Sequence, residues 1–130
     1  MQSTPSERRE LRAARAERGW TVEVENVGAG HHFPTDERSR AADVFWRPAD
    51  GAPGAWRHLY RFRSPYRHES GLTDTLLAAH ETRRIALEDP ESEGPVEVAL
   101  FYKRTPFWRD PGHPDPEGEA ELVHRLRIEP

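Results

Sequence analysis

An antiparallel β-sandwich of the immunoglobulin-like kind, with about six to eight strands, is the fold class predicted by these 130 residues. Three observations predict it. Apolar side chains recur with a period of two in several separate stretches, turn-forming clusters of Gly, Pro and Asp separate them, and no helical periodicity follows Gly19. The length suits a single domain with one core.

The first element is expected to be helical. Thr4-Pro5-Ser6-Glu7 has the signature of a helix start, with Thr4 as N-cap, Pro5 in the first turn and Glu7 closing a capping box. Good helix formers then run to Gly19, so a short N-terminal helix is expected over residues 5–18. Leu11 is its one large apolar residue, which gives a weak docking face. Residues 1–18 are accordingly read as a helical leader and residues 19–130 as the sandwich domain.

From Trp20 the period changes. Trp20, Val22 and Val24 alternate with Thr21, Glu23 and Glu25, the pattern of a strand with one buried and one wet face. Ala42, Val44 and Trp46 alternate with Asp43, Phe45 and Arg47 in a second strand that Pro48 ends, and residues 49–54 form a turn by composition. Arg57 to Arg63 supplies a third strand, with His58, Tyr60 and Phe62 on one face and Leu59 on the other. Residues 64–80 are less regular, broken by Pro65 and Gly71. Thr82 to Leu87 reads as a strand closed by the acidic turn Glu88 to Gly94, and Val96, Val98, Leu100 and Tyr102 form the cleanest strand of all. Thr105 to Gly118 is a long loop rich in Pro and Gly, expected to fold over the sheet or to meet a partner. The last strand places Leu122, His124, Leu126 and Ile128 on one face, where His124 reads as a hydrogen-bonded core or edge histidine.

Composition narrows the function classes. Hydrophobic residues make up 35% and charged residues 32%, so the core is modest and leans on four Trp, five Phe and three Tyr. A formal net charge of -4 argues against a nucleic-acid partner. The chain has no cysteine, which excludes disulfides, thiolate metal sites and a CxxCH haem attachment within it. No stretch approaches the roughly 20 apolar residues of a transmembrane helix, and the N-terminus lacks the apolar run of a secretory signal.

The stretch with the most chemical character is Asn26 to Asp36. Gly28 and Gly30 open backbone conformations closed to other residues, whereas Pro34 fixes its own φ and pushes Phe33 toward an extended shape. His31 and His32 are thereby expected on a constrained loop, the condition under which an imidazole becomes a useful ligand for a metal or haem iron. Adjacent residues of an extended loop diverge, so one of the two is expected to reach a given metal. The plainer alternative is that the pair shapes and hydrogen-bonds the loop.

Gly30-His31-His32-Phe33-Pro34-Thr35 resembles the GHxxPTG loop of the β-sandwich module found C-terminal to the haem-binding part of many multihaem c-type cytochromes, with Asp36 standing where that family has Gly. Residues 74–82, Asp-Thr-Leu-Leu-Ala-Ala-His-Glu-Thr, resemble the family's DTxIPPGE segment, and residues 96–104 its late VEVxLxYR strand. The match spans roughly residues 18 to 108, in the family's order. What the resemblance implies is an accessory module with no covalently bound cofactor of its own, whose His31 is a candidate axial ligand to the haem of a multihaem cytochrome domain or subunit. It also implies an extracytoplasmic setting, which the missing signal sequence does not match.

Other residues carry weaker signals. His58, His68, His80, His113 and His124 show no HxH or HxxxH spacing, although a copper or zinc site assembled in space remains open, with His31 or His32 as ligand and Asp36, Glu37 or Asp115 as helpers. The carboxylates of Asp36, Glu37 and Asp74 are accompanied by no nucleophile motif or phosphate-binding loop, and an enzyme is not expected. Phe33, Phe107 and Trp108 are the candidate partner contacts, with a lid over the core as the alternative for the last two. The leading expectation is a non-catalytic module associated with multihaem cytochrome electron transfer. A stand-alone histidine-based copper or zinc protein, or a plain protein- or carbohydrate-binding module, is the alternative.

Overall fold

The computed structural model describes residues 9–27, 32–34, 39–50, 55–66, 69 and 71–130. Its strands are β1 (Arg9–Arg15), β2 (Trp20–Asn26), β3 (Ala41–Pro48), β4 (Arg57–Phe62), β5 (Thr82–Leu87), β6 (Val96–Lys103) and β7 (Glu121–Ile128), joined by the short helix α1 (Pro116–Glu119) and a 3-10 turn at Pro90–Glu93. They form two antiparallel sheets, a three-stranded one in the order β1-β2-β5 and a four-stranded one in the order β4-β3-β6-β7. The chain crosses between sheets after β2, β4 and β5, which is the Greek-key wiring of an immunoglobulin-like sandwich. No helix among the described residues is long and apolar enough to cross a membrane.

The core lies between the sheets and is built from the alternation seen in sequence. Trp20, Val22 and Val24 of β2 face Ala42, Val44 and Trp46 of β3 and Val96, Val98 and Leu100 of β6, all of them buried. Register confirms the pattern, since Val22 lies opposite Ile85 and Trp20 opposite Leu87. The Trp20 indole nitrogen also donates to the Ser92 carbonyl at 3.0 Å, tying the sheet to the turn that follows β5.

The expected N-terminal helix is not formed over its described part. Arg9–Arg15 is instead strand β1, paired along its length with β2, so that Leu11 sits opposite Val24 and Ala13 opposite Val22. A helix carrying one leucine had nothing to bury, whereas an edge strand sends Leu11 into the core at 4% exposure and leaves Arg12 outside, 3.0 Å from Glu25. Gly19 closes a β-turn rather than a helix, with φ at 67° and the Ala16 N–H donating to its carbonyl at 3.2 Å. A side chain there would meet the Leu87 carbonyl oxygen at 1.9 Å.

Two register shifts alter which faces side chains occupy. Between Val44 and Phe45 the pairing with β4 slips, so Tyr60 lies opposite Val44 while His58 lies opposite Phe45 on the other face. His58 therefore does not share the Tyr60–Phe62 face that strict alternation assigned to it. A second slip between Leu100 and Phe101 turns Leu122 away from His124, Leu126 and Ile128, and it is 50% exposed.

The outer face of the four-stranded sheet is not wet. Phe45, Ala99 and Phe101 form a second apolar cluster there, covered by Trp56, Trp108 and Ala120. The rings meet edge to face, with Phe45 5.7 Å from Trp108 and 5.8 Å from Phe101. The 104–120 connection thus folds over the sheet, and β3 is buried on both sides over most of its length.

Candidate functional site

The connections 27–40, 63–81 and 104–120 are the long ones, and antiparallel pairing brings them to the same end of the sandwich. The opposite end carries the shorter connections 16–19, 49–56 and 88–95. Two groups of polar side chains organise the long-loop end.

The first lies where residues 32–34 meet residues 75–81. Phe33 and Leu77 form an antiparallel bridge, the Phe33 N–H donating to the Leu77 carbonyl at 2.8 Å and the Leu77 N–H to the Phe33 carbonyl at 3.0 Å. The Phe33–Pro34 peptide is cis. Buried Asn26 fastens the same place, because its side-chain amide donates to the Leu77 carbonyl at 3.1 Å while its backbone accepts from the His80 N–H at 2.6 Å. His80 occupies the left-handed region, φ 65°, to make that turn. Arg83 closes the corner. Its guanidinium donates to the Tyr60 hydroxyl at 2.6 Å and to the carbonyls of Thr75 and Leu76 at 3.2 and 3.1 Å, and it pairs with Glu81 at 3.1 Å.

His32 directly precedes the bridged Phe33. The ring is exposed and within electrostatic reach of Glu81. The Ala78 N–H holds the Glu81 carboxyl below its ordinary range, desolvation opposes this, and Arg83 and then His32 add to the lowering. Glu81 is therefore a carboxylate across the neutral range.

The second group lies on the outer face of β3 and β4. Asp43, with its side chain 1% exposed, accepts from Arg61 through Nε at 2.8 Å and Nη2 at 3.0 Å, and from His58 Nε2 at 2.7 Å. Burial pushes its carboxyl up, and the hydrogen bonds from His58 and Arg61 outweigh that, leaving it below the usual value. Arg61 reaches further and donates to the Pro106 carbonyl, which pins the start of the covering loop. Lys103 lies beside this network, 6% exposed, its ammonium 4.7 Å from the centre of the Trp108 ring.

The expected site residues fall as follows. His31 lies outside the described residues, together with Gly28, Gly30, Asp36 and Glu37, while His32 is exposed at the long-loop end. Phe33 is 4% exposed and packs edge-on against Phe62 at 5.7 Å, so it anchors the loop instead of facing a partner. Trp108 turns inward as a lid on the outer cluster, whereas Phe107 is 62% exposed and stacks on Tyr66. Among the described residues no three His, Cys, Asp or Glu side chains converge as a metal-binding group. The Asp43, His58 and Arg61 network was missed in sequence, although an aspartate within Ala-Ala-Asp-Val-Phe-Trp was its available signal.

No protein-family model matches the chain, and no curated protein matches it in sequence. Two solved structures resemble it in fold. One is a penta-heme cytochrome c552 from Thermochromatium tepidum, 17% identical with a TM-score of 0.55 over 92% of this chain. The chain spans 38% of that cytochrome. The other is a superoxide reductase in the oxidized state, 9% identical with a TM-score of 0.50, covering 99% of this chain and 93% of that one. At such identities the likeness is one of fold.

Proposed function

We propose that this chain is a non-catalytic β-sandwich module of multihaem cytochrome electron transfer, which presents the His31–His32 pair at its long-loop end to the haem of a partner domain or subunit. The observation that carries this reading is the Phe33–Leu77 bridge. It joins the two stretches that resemble the cytochrome-associated module, places Phe33 in the core, and so sets the chain's direction immediately beside the histidines. The fold likeness to a penta-heme cytochrome, of which this chain matches a domain-sized part, supports the same reading.

The residues present fit one end of such a contact. His32 offers an exposed imidazole, Glu81 a carboxylate within its field, and the chain has no cysteine with which to hold a haem covalently. A haem would arrive on the partner and would supply the one-electron chemistry. This chain would supply an imidazole and orient it by the Phe33–Leu77 bridge and the Asn26 clasp.

The test is an absorption titration of the purified chain with haem, copper(II) and zinc(II), run beside His31→Ala and His32→Ala. The expected result is a Soret shift on haem addition that one of the two substitutions removes. A haem response equal in all three proteins removes the loop from the account. A stoichiometric copper or zinc complex lost in the same variant, with no haem response, would replace this reading by the stand-alone metal one.

A further inference from the structure

We infer that the free edge of β5 accepts an extended segment of a partner protein as an added antiparallel strand, and that this segment runs basic, apolar, small, apolar, acidic. The inference rests on main-chain groups that the histidine reading does not use, and either can fail without the other.

The two sheets end at β1 and β5 on one layer and at β4 and β7 on the other. An open edge invites further pairing unless something spoils or covers it. On β4 and β7 the register shifts do so, with the extra residues Leu59 and Val123 sitting on the edge strands themselves. Thr75 also covers β4, its N–H donating to the Arg63 carbonyl at 2.9 Å and its hydroxyl to the Arg61 carbonyl at 2.7 Å. β1 runs beside β7. β5 is different: it pairs with β2 from Thr82 to Leu87 without a shift, and no strand lies on its other side. The Asn26 N–H donates to the Glu81 carbonyl at 3.0 Å, so these two form a hydrogen-bonded pair, and alternation then turns the N–H and C=O of Arg84 and Ala86 away from β2. Among the described residues nothing bonds to those outward groups.

Sheet size and charge say what fits there. With β1 beside β7, the three-stranded sheet runs out at β5 while β4 continues one strand further, and the half-buried Leu59 and Tyr60 have no strand opposite them. One added strand fills that place. The projecting β4 leaves no room for the edge of a second whole sandwich, so the occupant is a single extended segment. Its side chains opposite Ile85 and Leu87 turn inward over Leu59 and Tyr60, which calls for apolar residues at those two positions. On the outer face the side chain of Arg84 is 68% exposed, with Glu23 at 2.8 Å, and Glu88 is exposed with no ion-pair partner among the described residues. Ala86 lies between them. An antiparallel segment therefore sets an acidic residue opposite Arg84, a small one opposite Ala86 and a basic one opposite Glu88. Residues 84–88, Arg-Ile-Ala-Leu-Glu, have that same order when read antiparallel to themselves, which supplies a probe.

The test uses the full chain and a fluorescein-labelled peptide copying residues 82–89, Thr-Arg-Arg-Ile-Ala-Leu-Glu-Asp, with binding followed by anisotropy. Ala86→Pro removes an outward N–H without breaking a bond to β2, the kind of edge position where proline is tolerated, and is expected to weaken binding at least about tenfold. Peptides methylated on the main chain make the same test on the unaltered protein, so the outcome does not depend on how that variant folds. Methyl groups on the Ala and Glu nitrogens, which face β5, should abolish binding, and methyl groups on the Ile and Leu nitrogens should leave it within about twofold. Arg84→Glu with Glu88→Arg should weaken binding several-fold, and the peptide Thr-Arg-Glu-Ile-Ala-Leu-Arg-Asp should restore it. No binding at about 1 mM peptide, or equal losses from both methylation patterns, would overturn strand addition. A chain that dimerises in sedimentation velocity while Ala86→Pro stays monomeric would put a second copy on the edge and overturn the choice of occupant.

Discussion

Asp43→Asn isolates the charge at the centre of the outer-face network while keeping its shape. The carboxylate accepts three hydrogen bonds, from His58 and twice from Arg61, and its own side chain is 1% exposed. Breaking one partner of a fully buried ion pair costs about 3–5 kcal/mol. Here Arg61 and His58 keep 23% and 38% of their side chains exposed and remain partly hydrated when Asp43 is neutralised, which brings the expected loss to about 2–3 kcal/mol. For a domain of this size that is a fall in Tm of about 10 °C. The pH dependence supplies a second reading of the same network. The folded carboxyl lies below its unfolded value, so its contribution is fully present above the ordinary carboxylate range, about pH 4, and is lost as pH falls through the lower folded value. The gap between wild type and Asp43→Asn in urea-unfolding free energy must therefore be constant near neutrality and close below about pH 4. A variant within about 0.5 kcal/mol of wild type, with the same acid limb, would refute the argument that this buried charge is stabilised by its neighbours.

Three further perturbations examine other parts of the structure. Leu11→Ala removes the large inward side chain of β1 and should cost about 2–3 kcal/mol in chemical denaturation, whereas a solvated helical leader would register under about 0.5 kcal/mol. Arg83→Met strips donors from the carbonyls of Thr75 and Leu76 and from the Tyr60 hydroxyl; about 2 kcal/mol and faster amide hydrogen exchange across residues 75–81 are expected, and unchanged exchange there would count against the clamp. Trp108→Ala should cost about 3 kcal/mol by uncovering Phe45, while Phe107→Ala should stay within about 0.5 kcal/mol, and similar losses for the two would contradict the inward and outward placement described above.

The parts of the fold legible in sequence are those where one face meets the core and the other meets water. β2 reads correctly because Trp20, Val22 and Val24 are buried while Thr21, Glu23 and Glu25 are half-buried at the surface, and Thr82–Leu87 is recovered to the residue. β1 failed because local propensity was all that could be weighed: Arg, Glu, Leu and Ala favour a helix in isolation, and the partner that makes them a strand lies on β2. The faces of β4 and β7 failed at their register shifts, since a slip opposite Phe45 or Phe101 depends on the neighbouring strand and leaves no trace in the shifted one. Pro34 predicted an extended Phe33, but its pairing with Leu77 was not legible, because an isolated bridge between residues so far apart has no periodicity. Asp43 was read as a wet-face residue for the same reason that Phe45 was: alternation assigns a face to each residue and cannot say that a distant loop covers that face.

That covering loop has an inward and an outward side. Trp108 and the Pro106 carbonyl attach residues 104–120 to the sheet through Phe45 and Arg61, so the loop's inward side adds to the packed interior. Its outward side then carries Phe107, which is 62% exposed. Residues 32–34 follow the same plan, with Phe33 inward against Phe62 and His32 outward. In each case an aromatic anchor next to an exposed residue restricts the backbone there, an ordering that costs about 1–2 kcal/mol per residue. The exposed residues can then be truncated with little change in stability, and the anchors cannot. Opposite behaviour of Phe107→Ala and Trp108→Ala, adjacent in sequence and both aromatic, is the sharpest form of that division.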